Sequence, residues 1–255
     1  MRTVPPVARV TAIGSGWELA CARWLEPPAR LGQSALGWLP AEVPGHVHAD
    51  LLRHGLIADP STALGELGCQ WVDEETFVYR TSLVIAPDPE LPRRVLRFEG
   101  LDTIASVTLD GTLLARHDDM FVPLEIDLTD RAPAGTHRLE VRLEPAARVG
   151  RERRARYLAE AGLPPTVLHF DERAFVRKAQ YMFGWDFAPR LVSAGIWREV
   201  ALIEHAGRIR DVHVTQRHHD DGSVSLTLRA DVDGDGTCWH RIGRASCRER
   251  VCSTV

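Results

Sequence analysis

Between Thr76 and Leu143 the sequence alternates short runs of β-branched and aromatic residues with turn-forming residues, and this punctuation constrains the fold more than any other feature. Thr76–Ile85 is such a run, closed by Pro87-Asp88-Pro89. Val95–Glu99 follows, with Gly100-Leu101-Asp102 as its turn, and then Ile104–Leu109 runs into Asp110-Gly111. Asp-Gly between alternating runs is a strong hairpin signal, because both central residues of the favoured turn need a positive φ. Thr112–Ala115 returns from that hairpin, and Phe121–Leu128 and His137–Leu143 add two strands separated by Pro133-Ala134-Gly135. Strands recurring at intervals of roughly 8–12 residues, with turn chemistry between them, imply an all-β sandwich or barrel rather than alternating βαβ units.

Residues 15–30 suit a strand or short helix ended by Pro27-Pro28, Val43-Pro44-Gly45 is a turn, and Val47–Arg53 fits a short helix capped near Gly55. Residues 146–161 are the clearest helical segment, ended by Gly162 and Pro164-Pro165; the arginines at 151, 153, 154 and 156 read as its solvated face. An irregular loop then carries Phe183-Gly184-Trp185-Asp186-Phe187-Ala188-Pro189-Arg190, and a strand is expected over Ile196–Ile203, with Trp197 as a core residue. Ala206-Gly207 resembles a linker. Val212–Val214 and Val224–Ala230 begin new alternating strands, too few for an independent sheet domain. The expected organisation is an N-terminal tail over 1–14, one large β domain over 15–205, and the start of a second over 208–240. Residues 242–251 (Ile-Gly-Arg-Ala-Ser-Cys-Arg-Glu-Arg-Val) resemble the in-frame translation of a sequencing adapter, so 241–255 is set aside as an artefactual tail.

The formal net charge of −4 over 255 residues gives no basis for binding nucleic acid or an anionic membrane. No apolar run approaches the ~18 residues of a membrane span, and no leader peptide is visible, so a cytoplasmic location is expected. The five cysteines make no disulfide pattern. His46 and His48 with His54 lack the further ligands a metal needs, so they are read as structural, and no cofactor is expected. Asp73-Glu74-Glu75 reads as a surface run, since adjacent acids on a strand or turn point in different directions. His218-His219-Asp220-Asp221-Gly222 reads as a solvated hairpin loop.

Three segments together resemble the β-mannosidase branch of glycoside hydrolase family 2. They are Val43-Pro44-Gly45-His46-Val47-His48-Ala49-Asp50-Leu51-Leu52 with Ile57-Ala58-Asp59-Pro60; Trp71 through Arg80 with Phe98-Glu99-Gly100-Leu101-Asp102-Thr103 and His117–Phe121; and Arg177 through Arg190 ending in Gly195-Ile196-Trp197-Arg198. The resemblance implies a jelly-roll-like, galactose-binding-like sandwich with one inserted helix, followed by the first strands of an immunoglobulin-like domain and, beyond this chain, a catalytic barrel. A retaining glycosidase needs two carboxyl groups about 5–5.5 Å apart. The family places both glutamates on the barrel, so no catalytic residue is expected here. The partners implied are a mannose-containing oligosaccharide and the barrel of the same polypeptide. The resemblance carries a substrate-binding role to Asp186, and with it to Trp185 and Arg190. The alternative is a stand-alone carbohydrate-binding module. One departure stands out: the family usually shows Trp-Asp-Trp-Gly-Pro where this chain has Trp185-Asp186-Phe187-Ala188-Pro189. Phe187 lacks an indole N–H, and Ala188 lacks the backbone freedom of glycine. Arg177, Lys178 and Gln180 are expected to anchor the loop by hydrogen bonds.

Overall fold

The structure is a computed structural model and describes residues 8–25, 36–86, 88–164 and 172–234. The adapter-like tail lies outside the described residues. In chain order the strands are β1 (Ala8–Ala12), β2 (Glu18–Cys21), β3 (Leu39–Pro40), β4 (Phe77–Ile85), β5 (Arg93–Phe98), β6 (Ile104–Leu109), β7 (Thr112–His117), β8 (Leu124–Asp127), β9 (Gly135–Glu144), β10 (Val200–His205), β11 (Gly207–His218) and β12 (Val224–Gly234). The α-helices are α1 (Val47–Arg53), α2 (Gly65–Cys69) and α3 (Ala146–Glu160). The chain divides into two compact units, one of Thr11–Ala86 with Val95–Leu202, the other gathering the described parts of Met1–Val10, Pro87–Arg94 and Ile203–Val255.

Two sheets make the sandwich, one ordered β3-β2-β4-β9-β6-β7 and one ordered β1-β10-β5-β8. Their inward faces follow from the two-residue period of strands. Along β4, Phe77, Tyr79, Leu83 and Ile85 point inward, and β9 answers with Leu139, Val141 and Leu143. The register pairs Phe77 with Leu143 and Tyr79 with Val141, so large side chains meet across the strands on one face. Leu96 and Phe98 of β5, Ile126 of β8 and Val200 and Leu202 of β10 close the same core. The Asp110-Gly111 hairpin forms as expected: both residues have positive φ (49° and 81°), and Leu109 pairs with Thr112. Asp110 also accepts hydrogen bonds from the Arg138 amide (2.7 Å) and His137 Nδ1 (2.7 Å), which ties the hairpin to β9.

Helix α1 covers the segment expected, and α3 ends at Glu160, two residues before Gly162, whose φ of 64° lets the chain leave the helix. Leu158 is the large residue α3 buries, while Arg151 and Arg156 stay exposed. In the smaller unit β11 and β12 form an antiparallel hairpin whose turn is built by His219 and Ser223. Within the N-terminal segment, residues 8–12 form a strand. Two expectations are corrected. Phe121 and Val122 stand exposed before β8, which begins only at Leu124. Trp197 precedes β10 and is only half-buried: its indole N–H donates to the Met120 carbonyl (3.1 Å) instead of lying in an apolar core. The ring fills the space beside Gly100, where an added Cβ would come within 2.5 Å of Trp197 Nε1.

Candidate functional site

The segment expected to carry the site is a short exposed turn set on a heavily anchored base. A 3-10 turn over Gln180–Phe183 leads to Gly184, whose φ of 98° disfavours any residue with a side chain. Trp185 and Ala188 then exchange backbone hydrogen bonds (3.4 and 3.2 Å), so Asp186 and Phe187 form the tip. The tip is open to solvent: Trp185 is 59% and Phe187 88% exposed, and Asp186 is exposed between them. Residues 184–190, with Pro60, Ser61, Glu66 and Arg173, line an open concavity of about 890 Å³. A carboxylate and two aromatic faces thus share one rim, the pairing that suits a polyhydroxylated ring with an apolar C–H side. Phe187, at a position where the loop departs from the family pattern, is the more exposed of the two aromatics.

Arg190 sits at the base of this turn, and its guanidinium is already held. It donates to the Asp73 carboxylate, to Gln70 Oε1 (2.6 Å) and to Glu172 Oε1 (3.3 Å). Its backbone N–H donates to Glu66 Oε1 (2.8 Å), and its carbonyl accepts from Gln70 Nε2 (2.8 Å). The expectation that Asp73 belongs to a surface run is therefore corrected. Asp73 is buried, while Glu74 is exposed and pairs with Arg151 (2.5 Å). The reason is local geometry: a 3-10 turn over Gln70–Glu74 turns Asp73 inward and Glu74 out. Burial pushes the Asp73 carboxyl up to about 6, although the Arg190 guanidinium pulls it down. Glu66 and Gln70 were not singled out from sequence, and Asp73 was placed in a surface run. Glu66 lies on α2, and Gln70 and Asp73 on the 3-10 turn that follows it.

Beneath the loop the three resembling segments converge. Lys178 is fully buried, with Nζ 2.6 and 2.5 Å from the two Asp102 carboxylate oxygens and 2.7 Å from the Ser193 carbonyl. Desolvation lowers the Lys178 pKa, and the adjoining Asp102 opposes that shift. Asp102 and Gly195 exchange backbone hydrogen bonds (2.8 and 3.0 Å), and the amides of Gly45 and Val47 donate to the carbonyls of Ile196 and Ala194. Ser193 Oγ lies 3.2 Å from His46 Nδ1 and 3.1 Å from His48 Nδ1. Burial lowers the pKa of both imidazoles, that of His48 to about 4. Of the other anchors expected, Arg177 pairs with Asp119 (3.2 Å) and Gln180 donates to the carbonyls of Arg173 and Lys178.

The family described as glycosyl hydrolase 2 galactose-binding domain-like matches residues 17–198. The chain belongs to this family. Beta-mannosidase B of Aspergillus terreus is 34% identical over 231 residues, which cover 88% of this chain and 26% of that protein. Beta-mannosidase B of Emericella nidulans is 36% identical over 212 residues, 80% of this chain and 24% of the relative. Among solved structures, the β-D-mannosidase from Dictyoglomus thermophilum superposes with a TM-score of 0.69 at 32% identity, over 88% of this chain and 26% of that one. The exo-chitosanase CsxA of Amycolatopsis orientalis, at 23% identity and a TM-score of 0.59, shares the fold. This family member thus spans about a quarter of the length of the relatives it matches.

Proposed function

We propose that this chain is the sugar-facing N-terminal portion of a retaining exo-β-mannosidase that removes terminal non-reducing β-D-mannose from oligosaccharides. In this reading the sandwich lends its Trp185–Ala188 turn to the rim of a pocket whose catalytic glutamates belong to a barrel of the same polypeptide. Asp186 accepts hydrogen bonds from sugar hydroxyls, and Trp185 covers the C–H side of the ring. Arg190 contributes from the base of the turn, because its guanidinium is held by Asp73, Gln70 and Glu172. The β11–β12 hairpin is read as the opening of an immunoglobulin-like domain. Its exposed Ile209, Val214 and Leu228 are the aliphatic residues that further strands of such a domain cover.

The observation that carries the reading is an exposed aromatic–carboxylate–aromatic tip, built on a hydrogen-bonded base, in a chain more than 30% identical to β-mannosidases along most of its length. The test is to sequence the gene past the codon for residue 240 and to assay the product on an aryl β-mannoside. An open frame running into a barrel with two glutamates, and hydrolysis of the mannoside, is the expected result. A frame that truly stops here leaves a carbohydrate-binding module at most and ends the hydrolase reading.

A further inference from the structure

The loop that carries Asp186 is joined to a segment more than a hundred residues earlier in the chain chiefly through one residue, by both its backbone and its side chain. Arg190 is the first residue after the Trp185–Pro189 stretch, and four of its hydrogen bonds go to one short face. Glu66 Oε1 accepts from its amide, Gln70 Nε2 donates to its carbonyl, and Gln70 Oε1 and the Asp73 carboxylate accept from its guanidinium. Glu172 adds a fifth contact from the 3-10 turn over Glu172–Phe175. Gly184, at the other end of the turn, lies against the same arginine: an added Cβ there would sit 3.3 Å from Arg190 Cβ. Both ends of the exposed tip therefore rest on Arg190, and Asp73 is the buried acceptor beneath it.

We infer that Asp73 is a positioning residue for the sugar-contact turn: its ionised carboxylate fixes Arg190, and through Arg190 it sets the pose of Trp185 and Asp186. This inference rests on the sugar-facing reading of the turn for its functional meaning, though not for its structural content. The Asp73–Arg190 bond is charge-assisted only while Asp73 is ionised, and such bonds are about twice as strong as neutral ones. The charged and titratable groups around Asp73 are Arg190 and Glu172 across the clamp, Glu66, Cys69 and Glu74 on its own segment, and Lys178 beneath the loop. Burial places the Asp73 transition near pH 6, so loop order becomes pH-dependent in a range where an ordinary surface aspartate stays charged.

The experiment is hydrogen–deuterium exchange of the 255-residue chain between pH 5 and 8, corrected for the intrinsic pH dependence of exchange. The wild-type amides of Gly184, Trp185, Ala188, Arg190 and Leu191 should be protected at pH 8 and lose about tenfold of that protection as Asp73 protonates, the ratio expected between a charge-assisted and a neutral hydrogen bond. Asp73→Asn should show the low-pH exchange rate at every pH, while the β4 and β9 amides exchange as in wild type. Arg190→Lys, which keeps the charge and loses the fork, should also loosen the loop. If Asp73→Asn perturbs β4 and β9, Glu66→Gln serves instead, since it weakens the clamp from its partly exposed side. A loop whose exchange is indifferent to Asp73, to Glu66 and to pH overturns the inference. Loss of the sugar reading would look different: Asp186→Ala would leave mannoside kinetics unchanged while the clamp still governed exchange.

Discussion

Lys178 and Asp102 form a buried ion pair in which one ammonium sits 2.6 and 2.5 Å from the two oxygens of one carboxylate, with the Ser193 carbonyl at 2.7 Å. Asp102 comes from the turn after β5, and Lys178 and Ser193 bracket the exposed loop. Two distant stretches of sequence are thereby fixed against each other at the two ends of the segment that carries the turn. Desolvating two charges is costly, and only close geometry with additional partners offsets it. Here Thr103 Oγ1 also donates to Asp102, and the Ser193 carbonyl accepts from Lys178.

Removing one partner should therefore be severe. Lys178→Met leaves the Asp102 carboxylate buried beside an apolar chain, and the unfolding free energy should fall by about 3–5 kcal/mol in urea titrations. Adding Asp102→Asn should recover part of the loss, with a coupling energy above ~1 kcal/mol in the double-mutant cycle. Additive effects would mean that the pair is incidental.

The close approach of two glycine-containing segments makes a second demand. A Cβ at Gly195 would lie 2.4 Å from the Gly45 carbonyl oxygen and 2.7 Å from His46 Cα, both backbone atoms that cannot rotate away. Gly195→Ala should destabilise by at least about 1–3 kcal/mol, the usual cost of overpacking. Gly111→Ala is milder, because its site is open and the penalty comes only from a φ of 81°; about 1 kcal/mol is expected. Comparing the two midpoints in urea checks the order.

Asp73 should leave a signature in the pH dependence of stability. Its folded pKa is raised from 3.8 to about 6, so the folded state binds the proton more tightly than the unfolded state. Ionisation therefore costs global stability, with no cost below pH 3.8 and the full cost above about pH 6, because desolvation outweighs the Arg190 contact; that contact itself lowers the pKa and so favours the ionised form once Asp73 is buried. The unfolding free energy of wild type minus that of Asp73→Asn should fall across that window, by up to about 3 kcal/mol. Subtracting the variant removes the carboxylates that titrate the other way, such as Asp88 and Asp110. A flat difference would show that Asp73 is not desolvated.

The strands were legible in the sequence because a half-buried sheet imposes a two-residue alternation, and β4, β6 and β9 carry it clearly from Phe77 to Glu144. The Asp110-Gly111 turn was legible because its positive φ angles favour those residue types. The base of the site was not. Asp73 and Arg190 lie 117 positions apart, and nothing in the run Asp73-Glu74-Glu75 tells which of the three acids turns inward. Trp197 was misread because the run after Gly195 looks like a continuous strand, whereas β10 begins only at Val200 and the indole instead meets Met120. In both cases the deciding contact is long-range, and periodicity carries no information about it.

The central claim is that Asp186, at the exposed tip of the turn, contacts the sugar. The direct measurement is steady-state hydrolysis of an aryl β-mannoside by the protein expressed from the gene sequenced past residue 240, wild type against Asp186→Ala. Loss of hydrogen bonds to a charged acceptor should lower kcat/KM by about 10²-fold, with the fold intact by circular dichroism. Unchanged kcat/KM in Asp186→Ala would contradict the claim and leave Asp186 as a turn residue.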